Sequence, residues 1–327
     1  MVEARARLNF IYQHPNLENK LREVIIIGSG PAGYTAGIYA ARSGLKPLLI
    51  ASSVEAGGEL MKTTEVENYP GFPNGLQGPE LMDAFRAQAE RFGTEVLLDD
   101  VVEVDLKNQT KIVKTGNGKT FESKTVILAT GAAYRELGLP REKELSGYGI
   151  SWCATCDGFF FREKVIAVVG GGDSAMEEAT FLTRFASKVY LIHRRDSFKA
   201  SKIMQERALA NPKIEVVWNT EVIELLGEGK LSGVTLRNTV DGSTKNLDLD
   251  GLFIAIGNDP RVWLVEDQVE LTPEKFIKVD GRSSKTSLPG VFAAGDVIDP
   301  TYRQAITAAG SGCVAALDAE HYLTDLE

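Results

Sequence analysis

The chain has 327 residues, 43% hydrophobic and 25% charged, the balance of a globular protein with room for two domains of ordinary size. Its net charge of −9 argues against nucleic acid or an anionic membrane surface as a main partner, and no uninterrupted apolar run is long enough to span a bilayer. Three cysteines are too few for a disulfide framework, so a reducing cytoplasm is the expected compartment, where a CxxC pair more often serves redox or metal chemistry than structure.

Residues 1–20 lack the apolar stretch of a secretory signal, and they carry acids but no serine, unlike an organelle transit peptide. A loosely ordered extension is expected there. Residues 24–52 then read VIIIGSGPAGYTAGIYAARSGLKPLLIAS. A β-branched strand, a glycine turn, an amphipathic helix and a second apolar strand make a βαβ unit with parallel strands. The turn Gly28-Ser29-Gly30-Pro31-Ala32-Gly33 is a full GxGxxG. Its glycines let backbone approach a pyrophosphate, which the helix N-terminus then meets with free N–H groups. The fingerprint's acid, which would hold a ribose 2′-hydroxyl at the end of the second strand, is missing. Ala51-Ser52-Ser53 stand in that slot, with Glu55 and Glu59 nearby in a loop, so this copy's ligand is not identified by the fingerprint alone.

The segment 97–123 is strand-rich with turn glycines and predicts a small β layer appended to the first copy. VILATG at 126–131 closes that copy. The stretches around 132–135 and 257–261 are expected to link it to a second domain. Near the front of that domain stands SWCATCDGFF, residues 151–160. Cys153 and Cys156 admit three readings. A structural zinc site needs about four ligands, and the remaining candidates Cys313, His14, His193 and His321 are scattered. A staple closing so short a loop gives little entropic stabilisation. A redox pair fits best, because the chain also carries nucleotide sites that can supply electrons. Asp157, which follows the pair, could shuttle a thiol proton or cap a helix.

Residues 166–195, IAVVGGGDSAMEEATFLTRFASKVYLIHRR, repeat the first copy. Setting Gly28 on Gly170, 142 residues on, also sets Ile50 on Ile192 without a gap. This turn, Gly170 to Ala175, has alanine in its last slot. Its ribose slot holds His193-Arg194-Arg195, with Lys199 beyond, a cation cluster suited to the 2′-phosphate of NADPH. LFIAIG at 252–257 closes the second copy, and VFAAGD, ending at Asp296, returns to the first. The expected fold is α/β, with two Rossmann-like dinucleotide-binding domains and the second inserted into the first. Cys313 lies in an apolar helical pattern and is expected to be a buried small hydrophobe.

The motifs GSGPAGYTA, TTEVENYPGF, ILATGA, CATCDGFF, GGGDSAMEEA, HRRDSFKASK, LPGVFAAGDV and YRQAITAAGSGC occur in that order. On them the sequence closely resembles the low-molecular-weight thioredoxin reductases over residues 22–325. The resemblance implies an FAD-binding domain from residues 21–133 and 259–327, with an NADPH-binding domain over 134–258 that carries the CxxC pair. FAD would lie on Gly28, Ser29, Gly30, Pro31 and Ala32, its adenosine end meeting Ala51, Ser52 and Val101. Gly57, Gly58, Glu59, Leu60 and Asn68 would line the flavin. Ala129, Thr130, Gly131, Gly295 and Asp296 would also contact the cofactor, and Arg303, Gln304 and Ala305 would reach the isoalloxazine end. Read on their own, Asn68 could cap a turn and Asp296 a helix. NADPH would use Ser174, His193, Arg194, Arg195, Lys199 and Ile256.

The same resemblance implies that hydride passes from NADPH to FAD, then electrons pass to the Cys153–Cys156 disulfide and on to oxidised thioredoxin. Cys156 would be the thiol nearer the flavin and Cys153 the one that attacks the partner. It further implies a homodimer and rotation of the inserted domain on its linkers; because little chain extends beyond the core at either end, thioredoxin is expected as a separate chain. Reduction of another redoxin, glutaredoxin-like or peroxidase-linked, is the alternative; a flavin dithiol oxidase is a weaker one, since it would lack the cation cluster. Asn258 stands where many relatives have histidine, which puts cofactor affinity or linker motion at that point in question.

Overall fold

The structure, a computed structural model, describes residues 20–54, 56–63 and 65–326. The expected extension through residue 19, with His14, and Glu55 lie outside the described residues. Two compact units are present. The first comprises the described residues of Met1–Gly58, Met82–Gly131 and Pro260–Glu327; the second comprises those of Glu59–Leu81 and Ala132–Asp259.

The first unit is built on the strand Arg22–Ile27, whose run Val24-Ile25-Ile26-Ile27 is buried on both faces, as a central parallel strand requires. Leu48–Ala51 pairs parallel on one side of it and Thr120–Leu128 on the other. Glu95–Leu98 extends the sheet beyond Leu48–Ala51. The nine-residue strand Thr120–Leu128 serves two partners in succession. Its first half pairs antiparallel with Lys111–Thr115, and its last three residues pair parallel with Val291–Ala293. Lys111–Thr115 in turn pairs with Val101–Asp105. The expected β layer over 97–123 is therefore these antiparallel strands, but residues 97–98 belong to the parallel sheet. Helix Pro31–Arg42 begins with proline at its first turn, where the missing N–H is no loss. It buries Ala32, Ala36 and Ala40, small side chains that let helix Ala305–Thr324 approach closely. A Cβ on Gly312 of that second helix would collide with the Ala32 carbonyl. Each fully buried aliphatic side chain of this core stabilises the unit by about 1.5–3 kcal/mol, and Ile26→Ala would cost about 2–5 kcal/mol.

The second unit repeats the plan. Ile150–Ser151, Gly251–Ala255, Val165–Gly170, Lys188–Ile192 and Ile214–Val217 form a parallel sheet in that order. In the first unit Ile27 pairs with Ile50; in the second Val169 pairs with Ile192. The 142-residue offset between the copies is thus preserved in strand register. Helices Asp173–Leu182 and Lys202–Leu209 accompany this sheet, and Thr220–Leu226, Gly233–Asn238 and Thr244–Asp248 form an antiparallel one. A short hairpin pairs Glu65–Val66 with Leu76–Gln77.

The two linker stretches pair with each other, Ala132–Tyr134 against Asn258–Pro260. Arg135 N–H donates to the Gly257 carbonyl at 3.0 Å, and Arg261 N–H to the Gly131 carbonyl at 2.9 Å. Across this ribbon the Arg135 guanidinium grips both oxygens of Asp259, at 2.6–3.1 Å. Gly131 and Gly257 flank it at φ +70° and +109°, in the left-handed region where glycine is at ease.

Candidate active site: two glycine turns and a disulfide

In the first turn, a Cβ on Gly28 would strike the Ala129 carbonyl, and one on Gly33 would strike the carbonyl of Gly28. Packing alone therefore demands those two glycines. Gly30 is different: nothing lies within 4 Å of where its Cβ would be. A bare backbone facing open space is what a pyrophosphate needs. No side chain caps the helix that begins at Pro31, and its first turn has no acid, so its N–H groups face that space unopposed. The Ser29 hydroxyl accepts the Gly57 N–H at 3.0 Å and ties the loop carrying Gly57 and Gly58 to the turn.

At the strand's end, Ala51 is buried and its carbonyl accepts the Asp99 N–H at 2.9 Å. Val101, also buried, opens the strand two residues further on. Ser52 Oγ accepts the Val54 N–H. The Asp100 carboxylate accepts from both the N–H and the hydroxyl of Ser53. These bonds, the Ser53 hydroxyl first, hold it below the usual carboxylate range. Sequence reasoning passed Asp100 over, because it joins this site only through the pairing of Leu98 with Ala51.

The Thr130 hydroxyl donates to the Arg261 carbonyl at 2.8 Å, beside Ala129 and Gly131. Gly295 takes φ +80° against Ala32, and its N–H is held by Ser311 Oγ at 2.8 Å. Asp296 follows, half-buried within a single turn that has no side-chain cap. The helix at Ala305 is capped by Gln304 through a reciprocal box with Thr307, so Asp296 caps neither. Asp299, another residue unmarked in the sequence, accepts the N–H groups of Thr301, Tyr302 and Arg303 at 2.8–3.0 Å. It thereby fixes Arg303 at φ +47° just ahead of Gln304 and Ala305. Cys313 is half-buried rather than buried, because it meets the exposed Tyr39 hydroxyl instead of the core. Glu59 and Leu60 lie in a tight helical turn of the second unit's first segment, and Asn68 in its exposed hairpin loop.

The second turn repeats the first. A Cβ on Gly170 would strike the Ala255 carbonyl, one on Gly171 the His193 ring, and one on Gly172 nothing within 4 Å. His193 sets Nδ1 against the Gly170 carbonyl at 2.9 Å and Nε2 against that of Ser197 at 3.0 Å. With Phe198 and Trp218 around it, the ring buttresses the turn from below. Arg194, Arg195 and Lys199 are exposed and make no ion pair among the described residues. The Lys199 N–H is anchored to the Gly171 carbonyl at 2.8 Å, so the cations border the turn. Asp173, the acid nearest the open space, is turned aside by Ser201 N–H and Oγ at 2.7 and 2.9 Å. Ser174 is exposed in the helix's first turn, and Ile256 follows the strand that ends at Ala255. Both turns thus fit a dinucleotide, the second with positive charge at its ribose slot.

Cys153 and Cys156 are joined in a disulfide, with Cα atoms 5.3 Å apart. Cys153 caps the one-turn helix Ala154–Asp157, and Cys156 is exposed. Ser151, buried on its strand, accepts the Cys153 N–H at 3.0 Å. Gly158 packs this segment against Leu182 of helix Asp173–Leu182, so sulfurs and second turn belong to one body. Burial raises Asp157 above the usual carboxylate range, against a smaller opposing pull from the Ser151 hydroxyl. Its side chain caps no helix. A carboxyl whose proton is held more tightly than usual, next in the chain to the pair, is suited to donate it when the S–S bond opens.

Residues 22–312 match the family described as pyridine nucleotide-disulphide oxidoreductase. The chain is 60% identical over 306 residues to a thioredoxin reductase of Streptomyces coelicolor, covering 94% of this chain and 95% of that protein. It is 60% identical over 305 residues to one of Mycolicibacterium smegmatis, covering 93% and 97%. Among solved structures, a thioredoxin reductase from Giardia duodenalis superposes with a TM-score of 0.88 at 42% identity, covering 93% of this chain and 99% of that one.

Proposed function

The chain belongs to the low-molecular-weight thioredoxin reductases of the pyridine nucleotide-disulphide oxidoreductase family, NADPH-dependent FAD enzymes that reduce thioredoxin disulfide, and on that premise we propose how its own residues divide the work. When bound, FAD accepts hydride from NADPH and delivers an electron pair to a disulfide. The turn at Gly30 and the helix from Pro31 hold the FAD pyrophosphate; Asp296, Arg303, Gln304 and Ala305 serve its flavin half. The turn at Gly172 holds NADPH, with Arg194, Arg195 and Lys199 on its 2′-phosphate and His193 fixing the turn beneath. The cation cluster, free of ion pairs among the described residues, supports NADPH over NADH and speaks against a flavin dithiol oxidase.

Cys156 takes the electron pair as the S–S bond opens, and Asp157 protonates the thiolate that leaves. Cys153 then attacks the partner's disulfide, forming a mixed disulfide that Cys156 resolves. The net exchange consumes one NADPH and one proton and returns one dithiol. The partner is a thioredoxin. A relative from Mycobacterium leprae, named a bifunctional thioredoxin reductase/thioredoxin, is 55% identical over 311 residues, 68% of that protein, which supports a redoxin partner. We assign the protein to the cytoplasm, where reducing conditions suit a chain with three cysteines and a redox CxxC pair. We also assign it a homodimeric state, for which exposed Tyr39, Val314 and Leu317 on the first unit's helices offer apolar surface.

The observation that carries this reading is the Cys153–Cys156 disulfide, followed directly by Asp157, on the unit that carries the cation-bordered turn. The decisive assay couples NADPH oxidation to reduction of a thioredoxin. Cys153→Ser abolishes thioredoxin reduction while NADPH still bleaches the bound flavin. Activity that survives serine at both sulfur positions would overturn the proposal.

A further inference from the structure

The first glycine turn lacks the acid that a dinucleotide fingerprint places at the end of its second strand; Ala51, Ser52 and Ser53 stand there instead. We propose that Asp100 supplies the missing ribose-binding carboxylate from outside the βαβ unit, as a positioning residue for the adenosine half of FAD. The inference rests on FAD occupying the first turn.

Three observations carry it. The pairing of Leu98 with Ala51, continued by the Asp99 N–H on the Ala51 carbonyl at 2.9 Å, brings residues 99–101 alongside the strand's end. That end lies on the carboxyl edge of a parallel sheet, where such folds bind their ligands. Next, the Asp100 carboxylate is bonded to Ser53, so the acid occupies the fingerprint slot although it comes from a distant part of the chain. Finally, Asp100 is exposed, and a carboxylate offers about four acceptor sites; Ser53 takes one on each oxygen and Ser52 a third, which leaves one for a ribose hydroxyl. Its neighbour Asp99 is otherwise placed, buried and accepting the Asp100 N–H. Hydrogen bonds from Ser53, with a smaller one from Ser52, hold Asp100 below the usual carboxylate range, which favours the acceptor form. Ser53 thereby orients the carboxylate, and Asp100 receives the ribose hydroxyl.

The test uses the full-length apoprotein and reads flavin affinity directly, by quenching of flavin fluorescence. FMN shares the flavin and lacks the adenosine, so it serves as the internal control. Asp100→Asn weakens FAD binding about tenfold or more, the scale of one hydrogen bond to a charged group, and leaves FMN affinity unchanged. An FAD analogue without the adenosine 2′-hydroxyl binds the unaltered protein correspondingly weakly, and Asp100→Asn no longer tells the two apart. Equal FAD affinity in both proteins overturns the proposal. So does an equal loss for FMN and FAD, which would mark a structural role, or failure of the unaltered protein to discriminate the analogue, a measurement that needs no variant to fold. Apoprotein that takes up no FAD at all removes the assignment of FAD to this turn, and this inference with it.

Discussion

Asp157 holds its proton more tightly in the folded chain than in the unfolded one, because burial penalises its charge. Folding therefore takes up a proton between the unfolded value, near 3.9, and the raised folded one. Stability falls as pH rises through that window and stays lower above it. Asp157→Asn removes this dependence. Against the unaltered oxidised protein, the variant should be no more stable near pH 3.5 and relatively more stable at pH 8, as denaturant midpoints would show. Its thioredoxin-reducing turnover should nevertheless fall by about 10²–10⁴-fold, the usual worth of a positioned proton donor. The two open glycines make a second residue-scale prediction. Gly172→Ala meets no atom within 4 Å and keeps an ordinary φ, so the melting temperature should hardly move. The KM for NADPH should rise about tenfold, or about 1.4 kcal/mol, because a methyl group now stands where the pyrophosphate approaches. An unchanged KM would remove the assignment of that turn to a nucleotide.

The sites depend on how closely elements approach. Gly312 lets helix Ala305–Thr324 rest on the carbonyl of Ala32, one turn from Gly30. Gly312→Ala should overpack this contact and cost about 1–3 kcal/mol in unfolding free energy. FAD retention on dilution should fall as well, because the two helices frame the first turn. The linker ribbon is a different case: the Arg135–Asp259 pair is exposed, and Arg135→Ala should cost less than about 1 kcal/mol. Much at this scale was legible in the chain itself. Periods of 2 and 3.6 with glycine turns between them mark each βαβ unit, and the 142-residue offset reappears in strand register because both copies solve one packing problem. What stayed hidden is contributed across space. Asp100 reaches the strand end only through sheet pairing, Asp299 works by collecting backbone N–H groups, and the His193 ring lies under Gly171 rather than beside it. Residue order carries no mark of such placements. Cys313 was misjudged because an apolar helical pattern cannot show that one of its residues faces Tyr39.

For the molecule as a whole, the disulfide shares a body with the second glycine turn, proposed for NADPH, while the first, proposed for FAD, belongs to the other unit. A dithiol that must take electrons by way of one unit and deliver them to another protein calls for motion about the linkers. An engineered covalent bridge between the units should therefore stop steady-state turnover, and reductive cleavage of that bridge should restore it. Full activity in the bridged protein would remove the need for motion.

Val291–Ala293, which completes the first sheet against Val126–Leu128, is encoded after the whole of the second unit. On the ribosome, the inserted unit can finish folding while the surrounding one still waits for its last strand and long helix. Until they emerge, the edge of Val126–Leu128 stands open to pairing with other chains. A nascent chain stalled just before Val291 should accordingly show a protease-resistant core confined to the inserted unit, and should be the species most prone to aggregate during synthesis.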